Sequence, residues 1–475
     1  MTLPMIREIV RKELLEIFRE GRFRVALFTL AILVVTAIGV GRQYYLQVNE
    51  QHEAARRNAR NEWVGQGSKN PHSAAHYGTY AFKPKYPMSL LDNGVDKYSG
   101  VSIYLEAHKR NDAQYMAAQD QTALSRFGDL SPDFILMFMV PLFIILIAFN
   151  SVSRERESGT LRVMMSQGIS PWKLALGKWL AVFTPVAVLT GLVFLAGGLL
   201  LANLEDFGLF SWWPLILLAL VYLLYYGVFI NVSILVSALV RKSSLAFVLL
   251  LGIWILSCLG MPKATSVVAD ALYPYPTQLE FEERIAEDKT KGLNGHDPWN
   301  AESKKLEAET LKKYGVDSVE KLPFNWDGYL MQKGEEHEAE IYFKHYQVLK
   351  EIYQKQSKVY RTSAALSPFL PARFLSMALC RTDYHAHWDF ADEAEKYRLM
   401  LVGRLNGDMV DNSRTGQWDY RADEKLWRAV PDFAYEPVRY QSIVEANAGH
   451  FLVLLAWWVL SGVGMLVAVR QMKVF

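Results

Sequence analysis

Cysteine is scarce: the 475-residue chain has two, Cys258 and Cys380. One falls in an apolar run and the other in a long polar segment, so no disulfide framework supports the fold. A phosphate-binding loop is also missing. Gly177-Lys178 lacks the upstream glycine of GxxxxGK[ST], since Trp172 holds that place, and no Ser or Thr follows. Without those backbone amides and that hydroxyl, ATP phosphates cannot be held by that route. His337-Glu338-Ala339-Glu340-Ile341 is not HExxH, and no nucleophile–base set can be assembled. A net charge of +2 is too small to suggest nucleic acid as a partner. No internal repeat or low-complexity tract is visible.

What is there is alternation. Residues are 51% hydrophobic, yet mean hydropathy is only +0.06, so very apolar and very polar blocks must take turns. A helix crosses a bilayer with about 20 apolar residues. Six such runs stand out, giving an all-α polytopic membrane protein. Its expected order is an interfacial helix at 1–22, a span at 23–41, an outer insertion at 42–133 and a span at 134–150. A cytoplasmic segment at 151–179, a span at 180–202, a short outer loop at 203–213 and a span at 214–240 follow. Then come a short cytoplasmic loop at 241–244, a span at 245–262, a second outer insertion at 263–449, a span at 450–470 and a tail at 471–475. Arg7, Arg11, Lys12, Arg19, Arg22 and Arg24, the basic residues of 151–179, Arg241, Lys242, Arg470 and Lys473 all fall on one side. Positive flanks of short segments mark the cytoplasm, so both termini are expected there. The first apolar run follows a charged helix and lacks a small-residue cleavage site, so it is expected to stay as an anchor.

Met5–Glu20 places Ile6, Ile9, Val10, Leu14, Ile17 and Phe18 on one face, the pattern of a helix lying along a membrane interface. In the first insertion, a polar helix is expected over roughly 47–63, irregular chain with at most short strands after it, and a helix over 104–126. In the second, 270–323 has weak periodicity. Helices are expected over 335–362, 373–380 and 387–404, then a loop and a Pro-broken tail. The outer domain is therefore expected to be mainly helical.

The most informative stretch is Ser153–Lys178, a charged insert between two spans. Thr160–Gln167 can form two helical turns, and Gly168 suits a left-handed stop. Ser170 with Pro171 suits the start of a new helix. Glu155 and Glu157 offer charge to a basic partner. The run Glu155-Arg156-Glu157-Ser158-Gly159-Thr160-Leu161, then Gly168-Ile169-Ser170-Pro171 and Gly177-Lys178, resembles the coupling segment of the type-2 ABC exporter permeases. Asn70–Gly78, Asp92–Val95, Tyr98–Gly100, Ser367-Pro368, Arg373–Leu379 and Phe390–Arg398 resemble one branch of these permeases, with two large outer insertions of unknown function. Cys380-Arg381-Thr382-Asp383 departs from that pattern, where small residues precede Thr-Asp. The resemblance implies that Glu155, Glu157, Gly159, Thr160, Leu161, Ser170 and Pro171 meet cytoplasmic ABC ATPase subunits, which hold ATP and Mg²⁺. It further implies a second permease copy or a related permease, and a bacterial inner-membrane location. On this reading the chain performs no bond chemistry and binds no cofactor itself.

Charge is absent from the span centres, where an ion-coupled carrier usually keeps one. Asn231, Ser233 and Ser237 in the fourth span can line a pathway or pack helices; interhelical bonding is the commoner role. His385 and His387 with Asp389 are a weak metal nucleus, and His72 and His76 sit four apart. The favoured reading is that these histidines cap helices or bridge the two outer insertions. The runner-up function is a mechanical transducer, acting on a periplasmic partner without cargo crossing the bilayer.

Overall fold

The structure, a computed structural model, describes residues 3–116, 130–204 and 210–472. It is 75% helical. Among the described residues, six helices are long and apolar enough to cross a membrane: Gly21–Val64, Pro132–Glu157, Pro171–Ala202, Trp212–Leu239, Ser243–Leu272 and Tyr440–Gln471. This is an all-α multi-pass membrane protein. The second and fourth spans are its centre, with 67% and 61% of their most apolar windows buried, against 22% for the first and fifth. Outward residues such as Phe28, Val35, Leu256 and Leu460 are apolar and exposed, as lipid requires.

Two π-helical turns mark the core, Ile135–Met139 in the second span and Ile255–Gly260 in the fifth. A π turn leaves carbonyls poorly paired, and lipid cannot satisfy them. The fourth span supplies the donors: Tyr226 Oη donates to Leu136 O (2.9 Å) and Tyr225 Oη to Met137 O (3.0 Å). Trp254 Nε1 donates to Phe138 O at 3.2 Å.

Several expectations are corrected. The first span and the polar helix after it are one helix of 44 residues, about 66 Å long at 1.5 Å per residue. It stays unbroken because no proline interrupts it and its far end is held: Trp63 Nε1 donates to Trp427 O (3.0 Å) and Arg60 Nη1 to Val430 O (2.9 Å). The start of the helix expected over 104–126 instead falls in β2 and β3 of a small sheet. β1 (Thr79–Phe82), β2 (Ser102–Glu106) and β3 (Lys109–Arg110) pair antiparallel, with Tyr80 opposite Tyr104. Ile103 and Leu105 are buried, and pairing with β1 overrides a helical periodicity. Residues 117–126 of that expected helix lie outside the described residues, as do 127–129, 205–209 of the short loop and 473–475 of the tail.

The region of weak periodicity holds two helices, Gln278–Thr290 and Ala301–Tyr314. Their starts are capped, by a Thr277–Glu280 capping box and by Asn300. Trp326–Ser363, Phe369–Cys380 and Tyr384–Asn412 follow. Trp63, Ala74, Leu401 and Trp427 share one core, so the two insertions close on each other. The Phe369–Cys380 helix instead shares the large core of the spans, through Phe369, Leu370, Leu375 and Leu379.

Candidate functional site

At the short-loop end of the bundle, Ser153–Glu157 and Thr160–Ser166 form two small helices. Gly159 joins them at φ +77, a left-handed conformation that side chains resist. Gly168 (φ +80) ends the second helix, and Pro171 opens the third span. Ser170 occupies the position before it in extended geometry, without a side-chain cap bond.

Of the two acidic residues expected to reach a partner, Glu155 is turned inward and Glu157 stays exposed. Glu155 is buried, and its Oε1 meets Lys178 Nζ at 2.8 Å and Lys12 Nζ at 3.1 Å. Lys178 also meets Glu13 Oε1 at 2.8 Å. This network joins the amphipathic helix Leu3–Arg19, the segment and the third span. Burial works against the Glu13 carboxylate, but the ammonium groups of Lys178 and Lys12 outweigh it and hold its pKa below the usual value. Burial likewise works against the Lys12 ammonium, and Glu13 and Glu155 reverse the effect, raising its pKa.

Glu157 caps the fifth span, accepting from Ser243 N (2.9 Å) and Ser243 Oγ (2.8 Å). Arg156 donates to Val240 O (2.6 Å) and Ala238 O (2.8 Å), closing the fourth span's last turn. Thr160 Oγ1 donates to Glu155 O at 3.3 Å, and Leu161 is buried. Gly177 permits a close approach: a Cβ there would lie 2.5 Å from Ile9 Cγ2. What the segment leaves outward is mixed: Val163 is 55% and Trp172 47% exposed, beside exposed Glu157, Arg162 and Gln167.

Of the polar residues in the fourth span, Asn231 Nδ2 donates to Trp458 O (3.1 Å) and Ser461 Oγ (3.0 Å), tying the fourth span to the sixth. Ser237 Oγ accepts from Val152 N and Ser153 N at 3.0 and 3.1 Å, holding the small helix to the bundle. Ser233 is buried beside them in the sequence. His385, His387 and Asp389 do not converge on one point: among the described residues, the groups able to share an ion lie elsewhere. Asp389 accepts from Tyr435 Oη at 2.5 Å instead.

Sequence reasoning missed Lys178 as a buried hub and Glu13 as its partner. A signal existed: Glu13 stands between Ile9 and Ile17 at four-residue spacing, a charge within the apolar stripe. At the opposite end, Asp92 accepts from Arg373 Nη1 (2.9 Å) and Ser376 Oγ (2.5 Å), while Asp133 takes the same Nη1 at 2.9 Å. Tyr222 of the fourth span meets Ser376 Oγ at 3.0 Å.

Residues 95–264, from the first insertion through the fifth span's apolar part, match the ABC-2 family transporter protein family. Residues 278–436 match a domain of unknown function, DUF3526. The chain therefore carries an ABC-2 transporter membrane domain at 95–264 together with DUF3526, which is the bulk of its second insertion, an arrangement consistent with an ABC-2 type permease with an extra domain. No curated protein matches it.

Proposed function

We propose that this permease couples a separate cytoplasmic ATPase to export of a substrate, with Ser153–Lys178 as the point of entry for motion. The observation that carries this is the segment's construction. Its charged residues lock the amphipathic helix and the third, fourth and fifth spans together, while Val163 and Trp172 stay exposed. A push on that surface moves four elements at once. The transmission contacts are then Val163 and Trp172, with Gly159, Thr160 and Leu161 shaping them. Glu155 and Glu157 act from behind as internal ties. The basic flanks favour a short-loop end in the cytoplasm, with both termini there and DUF3526 outside the bacterial inner membrane. ATP and Mg²⁺ belong to the ATPase, and a second permease copy or a related permease completes the pathway.

A second reading, transduction to a periplasmic partner, is favoured by one observation. The Phe369–Cys380 helix of the second insertion is packed into the spans' core and tied to Tyr222 and Asp133. The two readings separate on whether the paired spans open a continuous route in any nucleotide state.

The test is Val163→Asp with Trp172→Ala in the permease co-expressed with its ATPase. Both positions are exposed, so stability should change by less than about 0.5 kcal/mol. Co-purification of the ATPase should fall at least ~10-fold, as loss of a hot-spot contact does. Unchanged complex and unchanged ATP turnover would remove the segment from the pathway of energy.

A further inference from the structure

Four histidines from three places in the sequence meet on the outer domain. His72 and His76 lie one turn apart on the Pro71–Tyr77 helix, and His108 sits between β2 and β3. His296 comes from the second insertion, between the helices Gln278–Thr290 and Ala301–Tyr314. One ring nitrogen from each falls within 4.8 Å of all the others. His72 Nε2 and His76 Nε2 are 3.2 Å apart, and His108 Nε2 and His296 Nε2 are 2.7 Å apart. We propose that His72, His76, His108 and His296 form a binding site for one divalent transition-metal ion, zinc in the first place, which fastens the second insertion to the first.

The outer ring of contacts aims these nitrogens. His108 Nδ1 lies 2.7 Å from Glu335 Oε1, which takes its proton and leaves the Nε2 lone pair facing the cluster. Glu335 is fixed in turn by Arg398 Nη1 at 3.3 Å. His72 Nδ1 lies 3.0 Å from Asn406 Oδ1, and Asn406 Nδ2 donates to Gln332 Oε1 at 3.2 Å. That orientation makes His72 Nδ1 the donor and again turns the Nε2 lone pair inward. Two lone pairs thus point into one space from separate elements, and a shared cation answers both.

The backbone agrees. His108 has φ +65, a strained conformation for a residue with a side chain. Glu335 Oε1 holds it there by also accepting from His108 N at 2.7 Å.

Zinc bound by imidazoles has bonds of about 2.0–2.1 Å, which sets ligand nitrogens in a tetrahedron about 3.3 Å apart. The two pairs at 2.7 and 3.2 Å lie just below that value and all separations stay within 4.8 Å, so small side-chain shifts reach it. Four nitrogen ligands leave no open position, so the role is structural. Imidazoles favour zinc, copper and nickel over magnesium and calcium. His76 and His296 are exposed, which gives the ion a way in. With three ligands from the first insertion and His296 from the second, the ion closes the domain across its seam.

The experiment uses the full chain in detergent, purified without a polyhistidine tag, with metal counted by mass spectrometry. The unaltered chain should carry about one zinc, and His385→Ala, outside the cluster, should keep it. His76→Ala with His296→Ala changes only exposed side chains and should leave the elution profile intact. It should weaken zinc binding more than ~100-fold, beyond the ~10–100-fold of losing an outer-ring contact. Added Co²⁺ should give the visible absorption of a four-coordinate nitrogen site in the unaltered chain alone. Stoichiometric copper or nickel in place of zinc, lost in the same variant, also supports the site. Equal metal content in both chains, or no binding of added zinc or cobalt by the unaltered chain, overturns it.

Discussion

The two ends of the helix bundle are built differently. At the short-loop end, a few residues of chain carry charges that bind four helices to one another and leave Val163 and Trp172 exposed among polar neighbours. At the large-domain end, a whole helix, Phe369–Cys380, is buried among the spans, and hydroxyl groups of the fourth span satisfy π-turn carbonyls. The first arrangement concentrates its contacts on a few residues, and the second spreads them over a broad seam. The fourth span reaches both, through Ser237 at one end and Tyr222 at the other.

Substitutions can break that contrast, and the hub should respond most. Lys178→Ala leaves the Glu13 and Glu155 carboxylates buried together, at a cost of about 3–5 kcal/mol. Thermal unfolding in detergent measures it, and a loss below ~1 kcal/mol would mean the network does not hold that end. At the other end, Asp92→Ala should cost less, about 1.5–3 kcal/mol, because Arg373 keeps Asp133. An equal or larger loss would reverse the comparison. Gly159→Ala forces a side chain into left-handed backbone at a cost of about 1–2 kcal/mol. Because the site is open and exposed, ATP turnover should fall more than stability does. Tyr226→Phe should cost about 1 kcal/mol, read from the same unfolding curves, since it removes one donor from Leu136 O.

The smallest effect is one of pH. Glu13 has its pKa depressed in the fold. Its contribution is therefore complete above the ordinary glutamate range and is lost as pH falls below it. Unfolding of the unaltered chain as pH falls from about 5 toward about 2 should show this loss, and Glu13→Gln should flatten that part of the curve. Parallel curves would take Glu13 out of the charge network.

The spans were legible because hydropathy and length are enough to declare them. The coupling segment was legible in position, since its glycines and Pro171 announce two short helices. The roles of Glu155 and Glu157 were not. Whether a carboxylate faces a partner or a buried lysine depends on a helix 140 or so positions earlier in the chain, and spacing carries no such information. The sheet was hidden for the same reason: Ser102–Glu106 becomes a strand only because Thr79–Phe82 lies alongside. His72 and His76 could be seen as neighbours, but His108 and His296 join them only through the fold.

The most direct test of the central claim is a cross-link. Cys258 and Cys380 are both buried, so a cysteine at Val163 is the reactive one. Val163→Cys should form a bismaleimide bridge to a cysteine placed on the ATPase surface that co-purifies with the permease, with a yield that changes between nucleotide-free and ATP-trapped states. A bridge that never forms, while the same cysteine is labelled from outside intact cells, would contradict the account.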